Sequence, residues 1–240
     1  MPKVPGERGI MKTVVLTSDS HSWLLKGFFH QWKKYAGGAV EVAGFTKPEL
    51  PKNVKFHSIG DMKDYPVDKW SNGLIKYLNE ISDDLVLILL EDYWLIRPID
   101  YEAVEEAAEL MLSYTDVIRF DLTTDRSGSR NAEYTGAYRK LDLCRAKGEY
   151  SLSFQASIYR KDLLLNVLVP NESPWESELN GTWRLNTLPY DVLGSYQWPI
   201  NYAIVVNKGK FDREGLWMHP SRTLTQADWK ELDNLGYTGS

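Results

Sequence analysis

Leu85–Asp92 reads LVLILLED, six apolar residues without interruption followed by two adjacent acids. The apolar run is far too short to cross a bilayer, which takes about 20 residues. It matches instead a strand buried on both faces near the middle of a parallel sheet. Before it, Lys69–Ile81 places Trp70, Leu74, Tyr77, Leu78 and Ile81 at helical spacing, and Ser82-Asp83-Asp84 turns the chain into the strand. After it, Asp100 is placed to cap a helix running to about Tyr114, and Val117–Phe120 (VIRF) resumes the sheet.

The same alternation extends in both directions. Upstream, Lys12–Thr17 (KTVVLT) is a short β-branched strand that breaks at Ser18-Asp19-Ser20-His21. A helix over Ser22–Tyr35 follows, stopped by Gly37-Gly38, then strands at Val40–Phe45 and Val54–Ile59. Downstream, Ser151–Tyr159 alternates as a strand and Lys161–Val169 reads as a helix stopped by Pro170. Ser173-Pro174-Trp175-Glu176 opens a short helix with a capping box and proline at its first position. Tyr202–Val206 is a last strand, and Thr225–Leu235, with Asp228 placed to complete its cap, is a terminal helix ended by Gly236. Strands alternating with helices predict an α/β fold, a mainly parallel Rossmann-like sheet with helices on both faces. Residues 122–149 break the pattern and read as a long functional loop or inserted flap. Residues 1–10 read as a flexible leader, with Met11 a possible start, and 11–240 as a single domain.

Composition narrows the class. Hydrophobic content of 43% and charged content of 25% are those of a globular chain, not a disordered or fibrous one. A formal charge of −5 gives no global attraction to nucleic acid or an anionic membrane. The single cysteine, Cys144, excludes an internal disulfide framework and a cysteine-rich zinc site, and fits a reducing cytoplasm. The first residues, MPKVPGERGIMK, lack the apolar stretch of a signal peptide, so the expected location is cytoplasmic. Nine tryptophans suit a sugar-handling site, where ring faces stack on pyranoses; for any one of them, packing at the core or its edge is the better reading.

The chemistry concentrates at Glu91-Asp92. Ligands of open α/β sheets bind at the carboxyl ends of the strands, and acids buried there are costly unless they meet a cation or serve a reaction. A divalent metal carrying a diphosphate is one partner, since Mg²⁺ takes one or two carboxylates plus phosphate oxygens. The other reading is that these acids cap a turn or pair with Arg97.

The segment WSNGLIKYLNEISDDLVLILLEDYWLIRPIDYEAV (Trp70–Val104) resembles the central part of a bacterial and bacteriophage glycosyltransferase family with the GT-A fold. SLSFQASIYRKDLLLNVLVPNESPWESELNGTWR (Ser151–Arg184) is similar to that family's acceptor-side half. The resemblance implies a nucleotide-sugar donor, a UDP-sugar in this family, held through Mg²⁺ or Mn²⁺ at Glu91 and Asp92. It implies a nucleotide pocket from Thr17, Ser18, Asp19 and His21, with Trp70 and Tyr93 beside it. His219 is a third candidate metal ligand, or a loop histidine. The family's usual Asp-x-Asp stands here as Glu91-Asp92-Tyr93, so Tyr93 takes the second acidic position.

On the acceptor side, Gln155 and Trp175 fall in the second block. Glu176 reads as the capping-box carboxylate; Glu178 cannot share its helix face and is free to act as general base. Arg126, Arg130 and Arg139 belong to a basic, tyrosine-bearing segment. That segment is either solvated or a grip on an anionic acceptor, such as a phosphorylated glycan or hydroxymethylated phage DNA. The acceptor is thus a glycan or modified DNA. A sugar nucleotidyltransferase is the rival enzyme class, weakened by the lack of a Gly-rich triphosphate loop after the first strand. A carbohydrate-binding module would not need the Leu85–Asp92 arrangement.

Overall fold

The computed structural model describes residues 11–123, 133–207, 209–213 and 223–238. In chain order the elements are β1 (Met11–Leu16), α1 (Leu25–Tyr35, entered through a 3-10 turn at Ser22–Leu24), β2 (Glu41–Gly44) and β3 (Lys55–Ser58). There follow α2 (Trp70–Glu80), β4 (Leu85–Leu90), β5 (Tyr93–Leu95), α3 (Tyr101–Ser113) and β6 (Val117–Asp121). The second half runs β7 (Glu133–Tyr138), β8 (Leu141–Arg145), β9 (Ser157–Arg160), α4 (Lys161–Val167) and α5 (Pro174–Asn186). It closes with β10 (Asp191–Ser195), β11 (Tyr202–Ile204), β12 (Val206–Asn207), β13 (Lys210–Phe211) and α6 (Gln226–Asp233).

Nine strands form one sheet in the order β3-β2-β1-β4-β9-β6-β10-β8-β7. β4 pairs parallel with β1 along its whole length, and both of its faces are covered. Leu85, Leu87 and Leu89 join the core under α1 and α3, whereas Val86 and Ile88 join the core under α2, α4 and α5. Period-two alternation explains how an uninterrupted apolar run supplies both cores. The architecture is the expected α/β one, a Rossmann-like sheet with helices on both faces. Among the described residues, no helix is long and apolar enough to cross a membrane.

Four local expectations are corrected. β9 enters the sheet antiparallel between β4 and β6, and its strand begins at Ser157, the residues before it being irregular. Part of segment 122–149 is a hairpin: β7 and β8 add two antiparallel strands to the sheet edge. Its turn at Arg139-Lys140 puts Arg139 at φ 51 without a glycine or asparagine, so the usual sequence signal of a hairpin is missing. Tyr202–Ile204 leaves the main sheet to pair with β5 as a separate ribbon. The helix opened by Ser173 is not short; it runs 13 residues.

Candidate functional site

β1 and β4 are in register up to Leu16 and Leu90, so the segments after them leave the sheet side by side. One carries Thr17–His21 and the other Glu91-Asp92. The Ser18 amide donates to the Glu91 carboxylate, and His21 Nδ1 lies 3.9 Å from Glu91 Oε1. Ser18 Oγ is 3.2 Å from the same imidazole nitrogen. Asp19 turns the other way: its carboxylate accepts from the Thr46 amide at 2.9 Å and hydroxyl at 2.7 Å, tying the loop after β1 to the loop after β2. Thr17 and Trp70 line one small cavity on this edge, together with Phe45 and Tyr77.

Glu91 is buried and Asp92 half-buried, side by side at the end of β4. Burial, then the charge of Asp92, pushes the Glu91 carboxyl well above the usual carboxylate range. Burial pushes Asp92 up in the same direction. Among the described residues no ion pair joins either acid to a lysine, and the basic group facing Glu91 is His21. Their backbone carbonyls are held, Glu91 by Trp94 Nε1 at 3.2 Å and Asp92 by the Val205 amide at 3.1 Å. Both side chains also accept backbone amides, Glu91 from its own residue and from Ser18, and Asp92 from its own residue, so they hold the turn as well as face the sheet edge. The donor set, two hard oxygen ligands with no third one converging among the described residues, suits a hydrated divalent cation that arrives with phosphate, not a closed protein cage. His219, and with it any ligand it supplies, lies outside the described residues.

Beyond the acids, Tyr93 stacks on Tyr202 with centroids 4.4 Å apart. The Tyr202 hydroxyl donates to Gln155 Oε1. Glu178 reaches the same neighbourhood from α5: its Oε1 accepts from the Phe154 amide at 2.6 Å, and the Phe154 ring packs edge-on to Trp70 at 4.8 Å. Burial raises the Glu178 carboxyl, opposed by the Phe154 amide, the Ser153 hydroxyl and the charge of Arg119. The charges of Asp92 and Glu178 both act on the Tyr93 hydroxyl, so both acids lie in its neighbourhood. Close approach of α5 is permitted by Gly181, where a Cβ would come within 2.3 Å of Leu152 Cδ2.

Glu176 is occupied elsewhere. Its carboxylate accepts from the Ser173 amide at 2.9 Å and its own amide donates to Ser173 Oγ, completing the predicted capping box on the exposed side of the helix. Trp175 is 65% exposed. Arg139 pairs with Glu109 at 2.6 Å, on α3, and the neighbouring Lys140 pairs with Asp100 and Glu102 at the start of that helix. Arg126 and Arg130 lie outside the described residues.

The floor of the site was not foreseen. Arg119, 2% exposed in the middle of β6, donates to Asp121 Oδ2 at 3.0 Å, to Ser157 Oγ at 2.9 Å and to the carbonyls of Tyr150 and Ser151. Asp121 in turn accepts from the Thr123 amide and hydroxyl. This buried pair clamps the irregular segment before β9, the segment that carries Ser153, Phe154 and Gln155. An arginine inside the strand sequence VIRFD was the available signal, since a charge at a core position needs a buried partner.

No protein-family model matches the chain, and no curated protein does. Among solved structures it is similar to S. aureus TarS, with TM-score 0.48 and 13% identity over 79% of this chain and 37% of that one. The chain thus spans well under half the length of TarS. It is also similar to a UDP-glucose pyrophosphorylase complexed with UDP-glucose, with TM-score 0.48 and 9% identity over 95% of this chain and 98% of that one. A third similar structure is glucosyl-3-phosphoglycerate synthase from Mycobacterium tuberculosis in complex with Mn²⁺, UDP and phosphoglyceric acid. There the TM-score is 0.43, with 11% identity over 76% of this chain and 66% of that one.

Proposed function

We propose that this chain is a glycosyltransferase that moves a sugar from a nucleotide-sugar donor, a UDP-sugar, to a hydroxyl acceptor on a glycan. The observation that carries this reading is the adjacent acids, buried Glu91 and half-buried Asp92, at the carboxyl edge of the sheet with no lysine ion-paired to either among the described residues. A buried acid pair is stable in its ionised form only when a cation joins it. A Mg²⁺ or Mn²⁺ ion bound there would neutralise charge on the departing diphosphate. Asp92 is the ligand best placed, because Glu91 already accepts the Ser18 amide. Thr17, Ser18 and His21 border the nucleotide on the β1 side, and Trp70 closes the same edge.

On the acceptor side, Glu178 takes the proton of the acceptor hydroxyl as that oxygen bonds to the anomeric carbon. The bond from that carbon to the diphosphate breaks with its electron pair leaving on the phosphate oxygen. A carboxylate in this role contributes about 10²–10⁴-fold.

The test is sugar transfer and donor hydrolysis with a panel of sugar nucleotides, offered both glycan and hydroxymethylated-DNA acceptors. Asp92→Asn keeps the size of the side chain and is expected to abolish transfer while leaving the fold intact. Full activity in that variant removes Asp92 from the mechanism. Activity that survives EDTA shows that the acids work without a metal. Release of pyrophosphate from UTP and a sugar phosphate, in place of transfer, replaces this reading with nucleotidyl transfer.

A further inference from the structure

Helix α5 turns Ser177, Gly181 and Leu185 into the protein. On its outer side Trp175, Leu179 and Trp183 follow one another at intervals of one turn, exposed by 65%, 57% and 72%. Side chains spaced by four residues stack along one face, so two indoles and a leucine make a continuous apolar strip. At 1.5 Å per residue the strip's ends are about 12 Å apart along the axis, longer than one monosaccharide. None of these three side chains serves the core, and an exposed strip of this kind marks a binding surface.

The strip is continuous with the candidate site. Trp175 lies one turn before Glu178 and Thr182 one turn after it, and Thr182 Oγ1 is bonded to Leu152 of the clamped segment. Its charge selects among occupants. Helix α5 contains no lysine, its one arginine, Arg184, is held bidentately by Glu172, and Glu176 stands on the exposed side. A nucleic acid or anionic lipid surface needs cations, and helix α5 itself presents no free one. A second copy of the chain needs about 800 Å² per partner, whereas two aromatic side chains and a leucine offer at most roughly 500 Å², with aromatics supplying 150–250 Å² each. Flat indole faces suit the apolar faces of uncharged pyranoses.

We propose that Trp175, Leu179 and Trp183 form a platform for an extended, uncharged oligosaccharide, the chain whose terminal hydroxyl is presented to Glu178. This rests on the glycosyltransferase reading and names the acceptor class of that site. The experiment measures binding of neutral gluco- and N-acetylglucosamine oligomers, disaccharides through hexasaccharides, by tryptophan fluorescence on the full chain. Expected are hexasaccharide binding to the native protein and weakening of about tenfold in Trp183→Ala, with disaccharide binding unchanged. UDP binding to the same variant, read by thermal shift, stays at the native level and reports on the donor site separately. Three results overturn the platform: no oligomer of the panel binds the native chain; Trp183→Ala weakens short and long oligomers equally; or sedimentation shows a dimer that Trp175→Ala and Trp183→Ala dissolve. If the platform fails while UDP still binds, the donor site stands and the acceptor is of another class.

Discussion

Two glutamates on α5, two positions apart and on different faces, meet opposite surroundings. Glu176 is exposed and its carboxyl is held below the usual range by the Ser173 amide, whereas Glu178 is turned inward and its carboxyl is raised by burial. Glu178→Gln retains an oxygen for the Phe154 amide and removes the base, so kcat falls by about 10²–10⁴-fold with donor affinity nearly unchanged. In the native protein the working form is the carboxylate, and its raised pKa extends the protonated, inactive form upward in pH. The rate is therefore expected to rise with pH through a value above the ordinary carboxylate range, a limb that Glu178→Gln loses in a kcat/KM profile. Glu176→Gln lowers the melting temperature and spares turnover. Reversal of the two phenotypes exchanges the roles, and full activity in both favours a retaining mechanism without a protein base. Much of this was legible: Ser173, Pro174 and Glu176 declare a capped helix start, and a residue two positions on must face elsewhere. Its receptor, the Phe154 amide, was not, because that contact spans 24 positions in sequence.

At the level of elements, Arg119 joins β6, β9 and the segment between β8 and β9 through four hydrogen bonds, to Ser157, Tyr150, Ser151 and Asp121. Replacing it with methionine keeps an unbranched apolar stem but removes the cation from a buried ion pair, which costs about 3–5 kcal/mol. Urea unfolding checks this, with a lower midpoint and an unchanged slope as the expected outcome. A cost below about 1 kcal/mol would mean that the clamp is replaceable by packing alone. The hairpin of β7 and β8 shows why elements of this kind escaped sequence reading. Its strands alternate weakly, β7 is exposed for most of its length, and what holds it is pairing with β10, a neighbour brought there by the rest of the fold.

For the whole molecule, the donor edge is assembled from segments after β1, β2 and β4, and a ligand that binds only the assembled edge stabilises the fold by mass action. UDP at one hundred times its dissociation constant is expected to add about 2.7 kcal/mol, read as a rise in melting temperature. With Mn²⁺ present the shift grows in the native chain, and Asp92→Asn removes the metal-dependent part. An identical shift in that variant separates nucleotide binding from the acid pair.

What the sequence by itself determined is local and periodic: the doubly buried strand Leu85–Leu90, the helices with their caps at Asp100, Ser173 and Thr225, and the delivery of Glu91-Asp92 to a loop. Each follows from spacing within a few residues, where backbone geometry alone sets which side chains share a face. Only the tertiary structure decided that β9 runs antiparallel between β4 and β6, that Arg119 and Asp121 pair beneath the segment before β9, and that Glu178 comes into the neighbourhood of Tyr93. Those outcomes depend on strand order and on partners far apart in the chain. The free energy of burying a charge or pairing an edge is set by what the fold brings next to it, and no local pattern carries that information.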